Sequence, residues 1–319
     1  MIYFDHSATT PVHPDVLDLM NSIQKGVYGN PSSIHKLGRK AKSVVENARK
    51  QVAKSIGAAP NQIIFTSGGT EANNQVFWSR INQDKKHVIS DTIEHPAVLK
   101  ALSQIAIFGI DHDLVTVNEK GCVSITDLES AITENTGLIS IMLANNEVGT
   151  MQPLKEITEL AHEKNILVHT DAVQCLGKMP IDVNNLGVDF LSLSAHKFYG
   201  PKGIGILYFK NKESLSALMI GGGQESGLRA GTENIGSIAG MGLAAELATD
   251  ELGNHITELK SFESSFKSEL LSFSPNAIFN GDPENKLPGL VSVSFPGYRS
   301  DILLAKLDRA GMAVSSGSA

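Results

Sequence analysis

A lysine that directly follows a short apolar run is the residue of this chain best suited to covalent chemistry. Residues 190–193 are followed by Ser194, Ala195, His196 and Lys197. A lysine at the end of a buried strand can attack a carbonyl group when burial or a neighbouring cation lowers the pKa of its amine. The hydroxyl of Ser194 and the imidazole of His196 could then hold the phosphate of a carbonyl cofactor bound to Lys197 as a Schiff base. A surface lysine that happens to follow a strand is the alternative interpretation.

A second pair of polar residues follows another apolar run. Asp171 comes directly after residues 166–170, and Gln174 lies three residues further along. Ligands of open α/β sheets bind at the carboxyl ends of the strands. A carboxylate there could keep the ring nitrogen of a pyridine cofactor protonated, while Gln174 could donate a hydrogen bond to the phenolic oxygen of the same ring. A helix N-cap is the alternative role for Asp171.

The turn Ser67-Gly68-Gly69-Thr70 joins a predicted strand to a predicted helix. Glycines let the backbone approach a ligand closely, and the N-terminus of a helix offers free N–H groups to a phosphate. No Gly-Lys-Ser/Thr sequence follows, which argues against a nucleotide triphosphate site. Gly69 and Thr70 are therefore candidates for binding the phosphate of another ligand, and an ordinary strand-to-helix turn is the alternative.

Three further residues lie in predicted turns and could contact a bound ligand. His95 in Glu94-His95-Pro96 could stack on an aromatic cofactor and relay protons near neutral pH, although a solvated histidine is the alternative. Asn146 follows a predicted strand and could orient a substrate, or could simply form the turn. Arg229 follows the glycine run 221–223 and could bind a carboxylate or phosphate, with a mobile linker as the alternative.

The elements that must position these residues alternate along the chain. Apolar runs separated by amphipathic stretches predict an α/β fold with a largely parallel sheet. The predicted strands cover 63–65, 87–90, 137–143, 166–170, 190–193, 203–209 and, later in the chain, 290–295. The predicted helices cover 70–80, a segment that begins at Pro96, 154–164, 234–271 and 301–310. We expect a large ligand-binding domain over residues 13–250 and a smaller α+β domain formed by residues 1–12 and 251–319.

The overall composition excludes several classes of protein. The 319 residues carry a net charge of -7, which argues against a nucleic-acid binder. No apolar run approaches the roughly 20 residues that a membrane-spanning helix needs. Two cysteines cannot form a disulfide framework, so we expect a cytoplasmic location. The histidines and cysteines show no metal-ligand spacing, so we expect no metal site.

Together these motifs resemble those of the cysteine desulfurases of the NifS/IscS group, which are class V aminotransferase-like, fold-type I pyridoxal phosphate enzymes. The resemblance runs from residue 3 to the last residue and implies a mostly parallel seven-stranded sheet with a smaller second domain. The matching segments are 3–11, 29–35, 66–73, 94–95, 145–149, 169–174, 194–200 and 229–234.

The resemblance implies a role for each candidate residue. It implies that Lys197 forms the Schiff base with pyridoxal 5'-phosphate and that His95 stacks on the ring and shuttles protons. It implies a homodimer, because the threonine that matches Thr232 reaches the phosphate of the neighbouring subunit. The remaining implied cofactor contacts are Gly69, Thr70, Ser194 and His196 at the phosphate and Asp171, Gln174 and Asn146 at the ring. The implied substrate contacts are Asn30, Asn146 and Arg229.

The implied activity converts L-cysteine to L-alanine and leaves a persulfide on an enzyme cysteine. The sulfur would pass to a scaffold or acceptor protein for iron–sulfur cluster assembly or tRNA thiolation. A selenocysteine lyase or an aminotransferase on the same scaffold is one alternative. A catalytically impaired subunit that only binds the cofactor is another.

The sequence departs from the family pattern at its C-terminal end. The persulfide cysteine of the family follows a Ser-Ser-Gly-Ser-Ala run, and these 319 residues finish with that run at 315–319. The segment that carries an arginine for the substrate carboxylate is also absent, so the small domain is expected to be incomplete. Cys122 lies in a predicted turn and Cys175 resembles a small buried apolar residue, so we expect neither to replace the nucleophile. We expect sulfur transfer by these residues alone to be lost or severely reduced, whether they are a fragment or a natural short form.

Overall fold

The computed structural model describes residues 1–317. The helices of this part of the chain are α1 Pro14–Gly26, α2 Lys36–Ser55, α3 Gly69–Trp78, α4 Pro96–Ile105, α5 Ile125–Ala131, α6 Leu154–Glu163, α7 Val183–Leu186, α8 Ile235–Asp250, α9 Leu252–Phe273 and α10 Ser300–Arg309. The strands are β1 Ile2–Tyr3, β2 Ile63–Thr66, β3 His87–Asp91, β4 Asp111–Val115, β5 Thr136–Ser140, β6 Leu167–Asp171, β7 Phe190–Ser194, β8 Gly205–Phe209, β9 Ile278–Phe279, β10 Val293–Ser294 and β11 Met312–Ala313.

The central sheet has seven strands in the order β2-β8-β7-β6-β5-β3-β4. Strands β7, β6, β5, β3 and β4 pair in parallel, whereas β8 is antiparallel to both of its neighbours. The predicted α/β fold with a mostly parallel seven-stranded sheet is therefore confirmed. The strand that the sequence prediction missed is β4, an edge strand that begins with the polar residues Asp111, His112 and Asp113. Its polar start hides the apolar pattern on which the prediction depends.

Both faces of the sheet are buried along its inner strands, which explains why these strands are mostly apolar. In β8, Ile206 and Tyr208 pack in one hydrophobic cluster, and Leu207 and Phe209 pack in the other. Side chains from α2, α6 and α8 belong to the first cluster, and side chains from α3 and α4 belong to the second. The sheet is thus the middle layer between two layers of helices.

The helical region predicted over 234–271 is divided in the structure. Helix α8 ends at Asp250 and α9 begins at Leu252, because Glu251 leaves the helical backbone with φ -102° and ψ 6°. The predicted strand over 290–295 is shortened to β10, which pairs antiparallel with β9. Gly253 follows the break at Glu251, but the apolar periodicity continues across it, so periodicity alone did not locate the break.

The two ends of the described chain meet in a small separate sheet. Strand β1 pairs in parallel with β11, with Ile2 opposite Met312 and Tyr3 opposite Ala313. The chain then runs beside the segment after β7, where Thr10 N–H donates to His196 O at 2.9 Å. This arrangement brings the first residues of the chain to the end of the central sheet. The division into domains at residues 12 and 250 stays a prediction.

Six strands end at the same edge of the central sheet. Strand β2 is antiparallel to β8, which is antiparallel to β7, so β2 points in the same direction as the parallel strands. The carboxyl ends of these strands are Thr66, Asp91, Val115, Ser140, Asp171 and Ser194. Segments that follow these ends therefore meet at one edge, where open α/β sheets bind ligands. Within residues 1–317, no helix is long and apolar enough to cross a membrane.

Candidate active site

A cavity of about 460 Å³ lies at this edge of the sheet. Its volume is within the usual range for sites that bind small molecules. Most of the residues predicted to bind a cofactor line this cavity: Gly69, Thr70, His95, Asn146, Asp171, Gln174, Ser194, His196 and Lys197.

Lys197 is held in the cavity by main-chain carbonyl groups. It ends the short 3-10 turn that follows β7, and its Nζ donates to Ser7 O and, at 2.8 Å, to Ala8 O. Burial lowers the pKa of the Lys197 amine, and the charges of Asp171 and Asp5 partly oppose this effect. A lowered pKa increases the share of neutral amine, which is the form that attacks a carbonyl.

Asp171 ends β6, and both of its carboxylate oxygens are fixed. Oδ2 accepts a hydrogen bond from Asn73 Nδ2 at 2.7 Å, and Oδ1 accepts one from Val173 N–H at 3.0 Å. These hydrogen bonds fix the orientation of the carboxyl group. The buried carboxylate can therefore act as a fixed partner for a protonated ring nitrogen.

The N-terminus of α3 offers free N–H groups to an anion. Gly69 and Thr70 form its first turn, where backbone N–H groups lack intrahelical partners. A Cβ atom added at Gly69 would lie 2.6 Å from Val173 Cγ2, so only glycine fits here without a shift. Ser194 and His196 line the same cavity, which places a hydroxyl and an imidazole near this helix end.

Two histidines in the cavity have side chains fixed by local contacts. His196 Nδ1 lies 3.1 Å from Thr9 Oγ1, and burial lowers the pKa of the imidazole to about 4. His95 caps α4, since its Nδ1 accepts a hydrogen bond from Ala97 N–H at 3.0 Å. With Nδ1 as the acceptor, the neutral ring of His95 carries its proton on Nε2.

A family model described as aminotransferase class-V matches residues 2–319. The chain belongs to the class-V aminotransferase family. The cysteine desulfurase IscS of Dictyoglomus turgidum is 43% identical to this chain. The match covers 100% of this chain and 82% of the relative.

Solved structures of similar proteins share the fold of this class-V member. A NifS-like protein superposes with a TM-score of 0.95 at 40% identity, and the match covers 99% of this chain and 87% of the other. A structure described as SspA in complex with cysteine superposes with a TM-score of 0.85 at 35% identity, covering 100% of this chain and 90% of the other.

The family depends on pyridoxal 5'-phosphate, and the residues of this class-V member fit that cofactor. The amine of Lys197 suits its aldehyde, the carboxylate of Asp171 suits its ring nitrogen, and the N-terminus of α3 suits its phosphate. All three groups line one cavity, as a single ligand with these three functional groups requires. We therefore expect these residues to hold the cofactor when it is bound.

Residues that the sequence prediction did not include also form the site. The carbonyls of Ser7 and Ala8 bind Lys197, and Thr9 contacts His196. The segment 3–11 matched a family motif, but nothing local in it indicated contact with a lysine almost 200 residues away.

A pair of buried carboxyl groups, Asp91 and Glu94, lies beside the site and was also missed. Glu94 Oε1 accepts a hydrogen bond from Met142 N–H at 2.6 Å, whereas its Oε2 and Asp91 Oδ2 have no partner among the described residues. Burial raises the pKa of Asp91 to about 6. Burial, with the charges of Asp91 and Asp171, raises the pKa of Glu94 well above its usual value. Glu94 directly precedes His95, so its hydrogen bond ties the start of α4 to the cavity-lining Met142.

Three predicted residues are not brought to the cavity. Arg229 Nε donates to Glu71 Oε1 at 2.9 Å, so its guanidinium binds a residue of α3. Asn30 is exposed, and its Oδ1 accepts a hydrogen bond from Ser32 N–H. Thr232 is exposed at the surface of the chain. Their predicted substrate and cofactor contacts therefore stay predictions.

Neither cysteine lies among the cavity residues. Cys175 is 0% exposed and packs in the core, and burial strongly raises the pKa of its thiol. Cys122 follows a turn that joins the bridged residues Val117 and Val123. Of the predicted C-terminal run, Gly317 lines the cavity, and Ser318 and Ala319 lie outside the described residues.

Proposed function

We propose that this class-V family member is a pyridoxal-phosphate-dependent cysteine desulfurase, which removes the sulfur of L-cysteine and leaves L-alanine. The observation that carries the proposal is the presence of the half-buried Lys197 amine and the fixed Asp171 carboxylate in one cavity. The cysteine desulfurase name of the Dictyoglomus turgidum relative and the cysteine in the SspA structure support the choice of substrate. No observation favours a selenocysteine lyase or an aminotransferase.

The chain's own residues supply attachment, charge and proton transfer. When bound, the cofactor would withdraw electrons from the α-carbon of the amino acid that it holds. Asp171 would keep the ring nitrogen protonated and so maintain that electron withdrawal. Lys197 would hold the aldehyde, and its amine, whose pKa is lowered by burial, could move a proton in the cavity. His95 Nε2 carries the proton that can be delivered to the substrate.

Sulfur removal also needs a thiol acceptor. An acceptor thiolate attacks the substrate sulfur and becomes a persulfide, while the bonding electrons remain with the carbon skeleton, which takes up protons to give alanine. Cys175 is buried in the core and Cys122 is not among the cavity residues, so neither is suited to this attack. Residues 312–317 lead towards the site, since Ser315 Oγ donates to Asp5 Oδ1 at 2.8 Å and Gly317 lines the cavity. The position of this segment supports attack by a thiol that reaches the substrate from the side of the cavity where Gly317 lies.

We also propose that the enzyme is a homodimer in the cytoplasm and passes its sulfur to an acceptor protein, for iron–sulfur cluster or tRNA modification. Thr232 is exposed, and Tyr28 and Ile34 beside Asn30 are 76% and 90% exposed. Exposed apolar side chains next to predicted site residues are typical of an interface. Sedimentation equilibrium should give twice the mass of the chain, and a monomer that binds the cofactor fully would contradict the dimer.

The test of the activity loads the chain with pyridoxal 5'-phosphate. The protein should develop a visible absorption band, and borohydride reduction followed by peptide mass analysis should place the cofactor on Lys197. Addition of L-cysteine should change that band and, with a small thiol as acceptor, release alanine rather than a keto acid. Lys197→Ala should lose the reducible band, and Lys210→Ala, at an exposed lysine after β8, serves as the matched control. A reducible cofactor on any other lysine would contradict the proposal.

A further inference from the structure

We propose that Lys178 is a positioning residue that fixes the amide of Gln174 with its nitrogen available to the cofactor. The inference rests on the proposed function, because it concerns the ring of the bound pyridoxal phosphate. Lys178 lies in the turn after β6, and its Nζ donates to Gln174 Oε1 at 3.0 Å. Gln174 itself lines the cavity, whereas Lys178 does not. Lys178 would therefore act through Gln174 and not by contact with the ligand.

The two partners of the Gln174 amide require the same orientation. A lysine ammonium can only donate a hydrogen bond, so it must face the amide oxygen. The carbonyl of Ser7 can only accept, so it must face the amide nitrogen, which lies 2.9 Å away. The amide nitrogen carries two hydrogens, and Ser7 takes one of them. The second is available to a hydrogen-bond acceptor in the cavity, such as the phenolic oxygen of the cofactor ring.

Lys178 occupies a place where a cation is costly. Burial, opposed by Cys175 and reinforced by the charge of the nearby Lys197, lowers the pKa of its amine to about 8. His6 also faces this charge, because Lys178 contributes to the lowered pKa of its imidazole. Among residues 1–317, the observed ion pairs do not include Lys178. A partly buried cation without a carboxylate partner is costly, and the hydrogen bond to Gln174 Oε1 is the side-chain contact that it makes among the described residues.

The test measures the pKa at which the visible band of the bound cofactor titrates. A donor to the phenolic oxygen competes for that oxygen with the proton on the cofactor's imine, so it lowers the measured pKa. Lys178→Met keeps the length of the side chain but removes its donor. We expect this variant to raise the measured pKa of the band by about one unit, since loss of a hydrogen bond to a charged group has effects of that order.

A double-mutant cycle separates positioning from a direct effect of charge. Gln174→Ala should raise the measured pKa as Lys178→Met does, and adding Lys178→Met to Gln174→Ala should change it little further. Lys202→Met removes another positive charge at the cavity without touching Gln174 and measures the effect of charge alone. Gln174→Glu keeps the shape and the partner of Lys178, removes the N–H donor and adds a negative charge, so it should raise the measured pKa at least as far as Gln174→Ala does. It tests the donor should Lys178→Met fail to fold.

The results distinguish this inference from the proposed function. If the wild-type protein shows no band attached to Lys197, the proposed function itself fails. If the band is present and Lys178→Met leaves its pKa unchanged, the positioning role is wrong. Equal shifts by Lys178→Met with and without Gln174 would also overturn it, since the lysine would then act by its charge.

Discussion

Replacing Glu94 by glutamine should make the protein more stable, and increasingly so as the pH rises. The side chain is 4% exposed, and Oε1 accepts a hydrogen bond from Met142 N–H at 2.6 Å. Its Oε2 has no partner among the described residues, so an ionised carboxylate there would be poorly compensated. Glutamine keeps the acceptor for Met142 and cannot ionise. The substitution therefore removes the ionisation and little else.

The direction of this pH dependence follows from the protons that the folded and unfolded states bind. Burial and the charges of Asp91 and Asp171 raise the pKa of Glu94 in the folded protein, so above about pH 4.5 the unfolded chain releases this proton first. The folded state then binds more protons than the unfolded state, and stability falls as the pH rises. One proton corresponds to about 1.4 kcal/mol of unfolding free energy per pH unit. Glu94→Gln should gain about that amount on the wild type for each unit until the folded carboxyl ionises.

Denaturant unfolding of the cofactor-loaded protein at several pH values between about 5 and 8 would measure the difference in unfolding free energy between Glu94→Gln and the wild type. Glu134→Gln, at an exposed glutamate, is the matched control and should follow the wild-type curve. Glu94→Ala should be less stable than Glu94→Gln by about 1–3 kcal/mol, because it leaves the buried Met142 N–H without an acceptor. A Glu94→Gln curve parallel to the wild-type curve would refute the argument that the buried carboxyl keeps its proton.

Three further outcomes test other parts of the structure. Arg49→Met should lower the free energy of unfolding by about 3–5 kcal/mol, because it leaves the buried Glu225 carboxylate without its charged partner. In the wild type, Glu225 Oε2 lies 2.7 Å from Arg49 Nη1. A double variant that adds Glu225→Gln should recover part of this loss in denaturant titrations. Gly69→Ala should weaken cofactor binding by at least tenfold in absorbance titrations, since the new Cβ would meet Val173 Cγ2, and Val173→Ala should restore it. Cys175 should resist alkylation until the protein unfolds, as followed by mass spectrometry, and rapid labelling of the native protein would contradict its burial.

The sequence predicted the strands that are buried on both faces. Residues 190–193 form most of β7 and residues 203–209 contain β8, because a strand covered by helices on both sides must be apolar throughout. Polar residues that directly follow such runs, such as Asp171 and Lys197, could be recognised as candidates for a ligand site. Helices were predicted where one face is apolar, as in residues 154–164, which contain α6. Helices α1 and α2 were not predicted, because the spacing of their apolar residues was not distinguished from that of the surrounding segments.

Contacts between distant segments could not be predicted in the same way. The hydrogen bond between Lys197 and the carbonyl of Ala8 joins residues 189 positions apart, and that between Arg49 and Glu225 joins residues 176 positions apart. Arg229 was predicted to contact a substrate, but the structure pairs it with Glu71. Both partners carry the charges that such a pair needs, yet nothing in the local sequence selects one partner for an arginine among many carboxylates.

The sequence by itself determined which residues follow each buried strand, and so which side chains reach the edge of the sheet. Its local periodicity and turn residues depend only on near neighbours, which is why they can be interpreted without the fold. Only the tertiary structure decided that β8 runs antiparallel between β2 and β7, which sends the turn after Thr66 to the same edge as Asp171 and Lys197. It also decided that Glu94 is buried and Lys178 partly buried near the cavity, because burial depends on the packing of segments that are far apart in the chain.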